Sequence, residues 1–366
     1  MIGNGSNGRN GSDSHGTGLL DHEELVVGRG ERTGLYVIVG VHSTALGPAL
    51  GGARLWHYRS LGDAIADALR LSEAMTYKAA AAGLDLGGGK AVMLAPEGGL
   101  AGDRRADLMR DLGDVVESLE GRYVTAEDVG IGAEEIGIVA ERTSHVTGVP
   151  EEMGGSGDPS PITARGVEVA IRACCERRYG SAELAGRRIC VIGLGHVGGK
   201  LAERLSRAGA ELAVCDIDEG KRALAERLGA RWVSSTEAIA TECELLAPCA
   251  MGGAIDEETV ERLRCEVVCG AANNVLASDA VAARLHERGI LYAPDFIANA
   301  GGLINVYGEL HDLGADQLES LVDGIGEALT GIFAQAEEES QTPLAAARSR
   351  AERRLEAAER SLEPAV

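Results

Sequence analysis

Arg188-Ile-Cys-Val-Ile-Gly193-Leu-Gly195-His-Val-Gly198 decides the fold. An apolar strand runs here into G-x-G-x-x-G, and Lys200–Ala208 continues as an amphipathic helix. In such a unit the first glycine permits a tight turn, the second lets backbone approach a pyrophosphate, and the third allows close helix–strand packing. The pyrophosphate then sits at the positive end of the helix. A lone glycine fingerprint is weak, but Leu212-Ala-Val-Cys-Asp216 ends a second strand on an acid at the expected distance of about 20 residues. Asp216 should accept hydrogen bonds from an adenosine ribose diol and repel a 2′-phosphate, which favours NAD over NADP. Asp218 is a lesser candidate for that role, and Arg222 leaves room for dual use. Cofactor contacts are therefore expected at Gly193, Leu194, Gly195, His196, Val197, Gly198, Asp216 and Ile217.

Outward from the fingerprint, strands are expected at Arg188–Ile192, Leu212–Cys215, Leu245–Ala247, Val267–Gly270 and Ile290–Ala293, with helices between them. Strict strand–helix alternation implies parallel βαβ units and a doubly wound sheet. Upstream the pattern differs. Strands are expected at Leu35–Val41, Gly51–Trp56, Ala91–Leu94 and from Tyr123 to Thr125, with helices at Asp63–Tyr77 and around Leu108–Leu119. Met153-Gly-Gly-Ser-Gly-Asp-Pro-Ser-Pro161 is a loop by composition and a plausible hinge, and a helix over Thr163–Tyr179 follows it. Two long helices, Asp316–Glu338 and Pro343–Ala358, end the chain. The expected architecture is α/β with two domains and a cleft between them. Residues 19–150, joined by a C-terminal helix over 341–366, form a substrate-binding and oligomerisation domain. Residues 151–340 form a Rossmann-type, doubly wound NAD-binding domain, and residues 1–18, rich in Gly, Ser and Asn, form a disordered tail.

Composition excludes several classes of function. With 366 residues, two domains are expected. A net charge of −22 disfavours nucleic acid and anionic membranes, both of which reward clustered Lys and Arg. No apolar run has membrane-spanning length and no signal-peptide core is present, so a cytoplasmic location is expected. The eight cysteines include no CxxC pair, and Cys174-Cys175 are adjacent. Cys265 and Cys269 are four apart in an apolar strand, so they should share a face without zinc-ribbon spacing. Buried reduced thiols and no metal are expected.

Chemistry concentrates in Met75-Thr-Tyr-Lys78-Ala-Ala-Ala-Ala-Gly-Leu-Asp-Leu-Gly-Gly-Gly-Lys90-Ala-Val92. Two lysines lie among alanines, glycines and leucines, with little to keep them wet. An ammonium in such a setting meets an anion or gives up its proton. One lysine that binds a carboxylate and another that acts as a base follow from that pairing. His42, His57 and His145 have neither a nucleophile nor metal spacing beside them and are read as structural.

At this point the chain resembles the Glu/Leu/Phe/Val dehydrogenases, in the branch of leucine, valine and phenylalanine dehydrogenases. The resemblance runs from about Gly34 to the C-terminal helices. It is carried by Gly47-Pro-Ala-Leu-Gly-Gly-Ala-Arg54, Met75-Thr-Tyr-Lys78, Gly87-Gly-Gly-Lys90, Thr125-Ala-Glu-Asp128-Val-Gly130, Pro248-Cys-Ala250, Gly270-Ala-Ala-Asn-Asn274 and Asn299-Ala-Gly-Gly302. It implies that Lys78 binds the substrate α-carboxylate, that Lys90 is the catalytic acid/base acting through a water, and that Asp128 assists proton transfer at the amine. Asn273, Asn274 and Asn299 match positions near the nicotinamide and the substrate, and Thr163 matches a threonine near the nicotinamide amide. Arg54, Ala250 and Ala272 join the expected cofactor contacts, and Gly51 the substrate contacts. The implied reaction is reversible, NAD-dependent oxidative deamination of an L-amino acid to a 2-oxo acid and ammonia, by a homo-oligomer.

The resemblance also narrows the substrate. Glutamate-using relatives carry a lysine where this chain has Leu50 and a serine where it has Val306. A γ-carboxylate against these residues would lose its water and find no partner. With Ala126 and Leu303 they should line a small aliphatic pocket for valine, leucine or isoleucine. Phenylalanine is the second reading, and a non-catalytic NAD-binding sensor a third. Ala79 departs from the family, which usually has asparagine after the motif's lysine.

Overall fold

The computed structural model describes residues 21–250 and 252–362, so the expected tail at 1–18 lies outside the described residues. Two sheets organise the chain, and their strand content follows the two sequence patterns.

The first sheet is mixed. Its elements are β1 (Glu24–Arg29), β2 (Tyr36–Ser43), β3 (Ala49–Trp56), α1 (Leu61–Ala81), β4 (Gly87–Leu94), α2 (Gly102–Glu117), β5 (Tyr123–Ala126) and α3 (Ala133–Val139). The strand order is β1-β2-β4-β3-β5, with β2 antiparallel to β1 and β4 and the β3 pairings parallel. Helix α1 covers one face. Ser60 accepts from the Asp63 N–H at its start, and Lys78 lies in its last turn. The other face packs Val37, Val39, Ala53 and Met93 against Leu108, Leu112 and Val116 of α2.

Two differences from the sequence expectation have clear causes. β1 lies upstream of Gly34, as an edge strand paired only with β2. β4 begins at Gly87, four residues before the expected strand. Its glycines belong to the sheet because neighbours touch the backbone itself. A Cβ on Gly88 would collide with the Thr76 amide of α1, and one on Gly89 with the Tyr123 ring. Sequence propensity counts such glycines as loop, and close packing overrides it.

The second sheet follows α4 (Ser160–Tyr179). It contains β6 (Arg188–Ile192), α5 (His196–Arg207), β7 (Glu211–Cys215), α6 (Arg222–Arg227), β8 (Arg231–Trp232), α7 (Ser235–Ala238), β9 (Leu245–Pro248), α8 (Thr259–Arg262), β10 (Val267–Val268), α9 (Asp279–Glu287), β11 (Leu291–Tyr292) and α10 (Asp295–Ala298). The pairings are parallel in the order β11-β10-β9-β6-β7-β8. This is the doubly wound dinucleotide order read from its far edge, with the β6/β9 boundary as the switch point. Two-residue β8 is the strand that periodicity could not register. The cysteine expectation needs a correction. β10 covers only Val267–Val268, so Cys265 precedes it and packs in the core with Val268, while Cys269 packs in the other core with Val267.

Helix α4 starts at Ser160, three residues before the expected Thr163, where the Asp158 carboxylate accepts the Ser160 N–H at 2.9 Å. Helices α11 (Gly301–Leu310), α12 (Ala315–Glu338) and α13 (Pro343–Leu362) complete the chain. α12 packs on α4, and α13 returns to α1. Arg354 of α13 donates to the carbonyls of Leu84 at 2.8 Å and Ala80 at 3.1 Å and pairs with Asp85 at 2.7 Å. A cation at the carbonyl end of a helix is favourable. Among the described residues no helix is long and apolar enough to cross a membrane, and no group of three or more His, Cys, Asp or Glu could hold a metal ion.

Candidate active site

A cleft of about 900 Å³ opens between the two sheets. Strand β3 brings Leu50, Gly51 and Arg54 to it, α1 brings Lys78, β4 brings Lys90, and the end of β5 brings Ala126 and Asp128. From the second half come Asn273, Asn274, Leu303 and Val306.

Lys90 is held in place by strand pairing with Gly40 of β2 and is only 5% exposed. Its ammonium donates to Asp128 Oδ2 at 2.6 Å. The same carboxylate oxygen accepts from Arg54 Nε at 3.0 Å, and Arg54 in turn pairs with Asp67 at 3.1 Å. Burial pulls the Lys90 pKa down, and Arg54 adds to this, while Asp128 opposes it without reversing the direction. Burial pushes Asp128 the other way, but the positive charges of Lys90 and Arg54 win and hold its carboxyl below the usual range. The result is a carboxylate with two cations, one of which is poised to lose a proton.

Lys78 differs. Its ammonium makes no hydrogen bond or salt bridge among the described residues. Burial lowers its pKa to about 8, with Asp295 supporting the charge and Lys90 opposing it. A cation without a contact partner lining a cleft can receive an anion, because an anion would restore its lost hydration.

Gly51 and the β4 glycines make this geometry possible. A Cβ on Gly51 would overlap the Gly89 carbonyl, and one on Gly52 would meet Asp128 Cβ at 2.8 Å. Apolar Leu50 and Leu303, with partly buried Met75 and Val306, belong to one continuous core, and Ala126 lines the same cleft.

The dinucleotide elements lie on the second sheet. Gly193 has φ +95°, and a Cβ there would meet Ala250 at 2.9 Å, whereas the space before Gly195 is open. A Cβ on Gly198 would overlap the Gly193 carbonyl. The Asp216 carboxylate accepts the Leu194 N–H at 2.6 Å and the Asp218 N–H at 2.8 Å, which fixes its position at the end of β7. Ile217 beside it is 93% exposed. Asn299 donates to Asn273 Oδ1 at 2.8 Å, and its own Oδ1 is buried with no partner. Such an orphan acceptor calls for a donor. The open glycine turn, the fixed acid and this orphan together fit a nicotinamide dinucleotide, with a carboxamide as a suitable donor.

Other expected residues stand further back. Leu194 and Ala272 are buried. His196 and Val197 open α5. Thr163 donates its hydroxyl to the Pro159 carbonyl at 2.9 Å, under Gly302. His42 bonds Thr76 on α1, and His145 lies 4.0 Å from Glu117. Met75, Glu127, Asp295 and Phe296 also line the cleft and were not singled out from the sequence. For Asp295 the position directly after a proline, beyond a strand end, was the available signal.

Two family profiles match the chain. One is described as "Glu/Leu/Phe/Val dehydrogenase, dimerisation domain" over residues 26–145, and the other as "Glutamate/Leucine/Phenylalanine/Valine dehydrogenase" over residues 213–360. A leucine dehydrogenase of Thermoactinomyces intermedius is 43% identical, over 92% of this chain and 91% of that one. A valine dehydrogenase of Streptomyces virginiae is also 43% identical, over 91% of this chain and 94% of the other. The crystal structure of L-tryptophan dehydrogenase from Nostoc punctiforme superposes with a TM-score of 0.82 at 36% identity, covering 93% of this chain and 98% of that one.

Proposed function

Because the chain belongs to the Glu/Leu/Phe/Val dehydrogenase family, we propose a specific division of labour in its cleft. The protein is an oxidoreductase acting on CH–NH₂ donors, and its reaction is the oxidative deamination of branched-chain L-amino acids with a nicotinamide dinucleotide. The observation that carries the division of labour is the contrast between two lysines in one cleft: Lys78 without a contact partner, and Lys90 locked to Asp128.

Lys78 binds the substrate α-carboxylate. Bound cofactor supplies the acceptor for the hydride that leaves Cα. Lys90, with its pKa lowered, takes a proton from the water that attacks the substrate iminium carbon. Asp128, ionised at rest, takes a proton from the substrate ammonium before the hydride leaves and returns it to the carbinolamine nitrogen, so the C–N bond breaks, the hydroxyl proton passes back to the carboxylate, and the 2-oxo acid and ammonia are released. Arg54 favours the ionised form of Asp128 between these transfers. The cofactor performs the redox step, and the protein contributes orientation and charge. Gly193, Gly195 and Gly198 receive the pyrophosphate, and Asn299, Asn273 and Thr163 attend the nicotinamide end. NAD is the preferred dinucleotide, since the negative charge of Asp216 opposes a 2′-phosphate. The side chain of the substrate lies against Leu50, Met75, Ala126, Leu303 and Val306. The active species is a homo-oligomer.

Initial rates with L-valine, L-leucine, L-isoleucine, L-phenylalanine and L-glutamate, each with NAD and NADP, test the reading. Turnover of aliphatic substrates with NAD is expected. Rates dominated by glutamate or phenylalanine would overturn the pocket, and a preference for NADP would overturn the role of Asp216. No reduced cofactor with any amino acid at alkaline pH would favour the sensor reading.

A further inference from the structure

Asp295 is a cleft carboxylate to which the division of labour above gives no task. It starts α10 on the second half of the chain, yet it lines the same cleft as Lys78, because α10 packs against α1. On its own side, its Oδ2 accepts the Val275 N–H at 2.9 Å, and its N–H donates to the Tyr292 hydroxyl at 3.3 Å. Val275 follows Asn274, whose φ of +51° is in the left-handed region. A residue held there needs its surroundings to fix it, and the Asp295 carboxylate is one of those constraints. The loop so fixed carries both Asn273 and Asn274 into the cleft.

On the opposite side, Asp295 faces the anchoring lysine. The charges around Lys78 are Asp295 from α10, Lys90 from β4 and Asp128 beyond β5. Arg348 and Glu352 of α13 and Arg70 and Glu73 of α1 line the same cleft. Since Lys78 and Asp295 form no salt bridge, the two groups stand apart without direct contact. An arriving carboxylate can engage the ammonium without displacing a bonded partner.

We propose that Asp295 is a positioning residue coupling the two halves of the cleft: it fixes the Asn273–Asn274 loop and keeps the Lys78 ammonium charged. The proposal rests on Lys78 being the carboxylate anchor. With the Asp295 charge present, the Lys78 pKa is already down at about 8 through burial. Removing that charge lowers it further. The pH above which an anionic ligand weakens therefore moves down, by about one unit for an opposite charge lining the same cleft.

The test is the affinity of the full-length protein for isocaproate as a function of pH, measured by calorimetry in the presence of NAD. Isocaproate has the leucine side chain and carboxylate but no amine, so no turnover intervenes. In Asp295→Asn an oxygen still accepts the Val275 N–H, but the charge is gone. Its alkaline break should move down by about one pH unit, with NAD affinity held within about twofold. Asp295→Glu retains the charge and should restore the break, which keeps the proposal testable if the asparagine variant does not fold. Asp295→Ala should weaken NAD binding as well, because the loop is released. A break that stays in place in Asp295→Asn, or an unchanged NAD affinity in Asp295→Ala, overturns the proposal. If the wild-type protein binds no isocaproate at any pH, the anchor role of Lys78 fails and this proposal fails with it. If it binds isocaproate but turns over no amino acid, only the reaction assignment fails.

Discussion

At Lys90 the ammonium shares one oxygen of Asp128 with Arg54, and all three groups have lost much of their water. Burial lowers the lysine pKa, so the neutral amine is reached at lower pH than for a free lysine. The base role proposed for Lys90 needs that neutral form, hence kcat should rise with pH through the lowered pKa and then level off. Lys90→Ala should lose about 10²–10⁴-fold in kcat while NAD affinity is retained. Calorimetric NAD binding combined with steady-state rates checks both halves, and near-normal turnover would remove Lys90 from its role. Leu50 lies in the core beside Val306 and is 1% exposed. Leu50→Lys should introduce measurable glutamate oxidation and raise the KM for leucine, because the new ammonium supplies a partner for a γ-carboxylate and wets the pocket. Unchanged specificity constants would show that Leu50 does not touch the side chain. At this scale the two lysines were legible, because charge among apolar residues is visible in a sequence, whereas Asp128 was marked out only by the family resemblance. Asp295 was not legible, since its meaning lies in what it faces across the cleft.

Secondary-structure elements were mostly legible, and the misses share one cause. Helix α1 has both a cap signal and a long apolar face, so its existence follows from local sequence. β4 does not announce itself, because Gly87, Gly88 and Gly89 have low strand propensity and enter the sheet only where α1 and Tyr123 press on their backbone. Two-residue β8 is too short to give a period of two, while β10 and β11 lie inside the expected strands Val267–Gly270 and Ile290–Ala293 and are shorter than them. The terminal helix shows a different dependence. Arg354 closes the carbonyl end of α1 from more than 260 residues away in sequence. Arg354→Ala removes charge-assisted hydrogen bonds and should destabilise the fold by about 1–3 kcal/mol. Urea unfolding followed by circular dichroism reads this directly, and a midpoint unchanged from wild type would show that the contact carries no weight.

For the whole molecule, the connection between the halves is anchored by one carboxylate. Glu309 of α11 accepts the backbone N–H groups of Gly148 at 3.0 Å and Ser156 at 2.9 Å, and the Ser156 hydroxyl at 2.6 Å. These bonds bracket residues 148–156, which overlap the start of the expected hinge at Met153–Pro161 and contain one 3₁₀ turn at Glu151–Met153. Glu309→Ala should raise hydrogen exchange across residues 148–156 and change kcat and KM together, as expected when domain closure is altered. Exchange and kinetics both equal to wild type would deny the segment that role. The sequence by itself determined the doubly wound second sheet, the glycine turn with its acid, and the chemical types of the groups that line the cleft. These depend on local spacing, on short-range packing and on charge type, all of which are written along the chain. Only the tertiary structure decided which charges meet: that Asp128 is shared by Lys90 and Arg54, that Lys78 is left without a contact partner, and that Asp295 faces it from the other half. Pairing of this kind is set by distance and burial across a cleft, and neither quantity is a function of sequence separation.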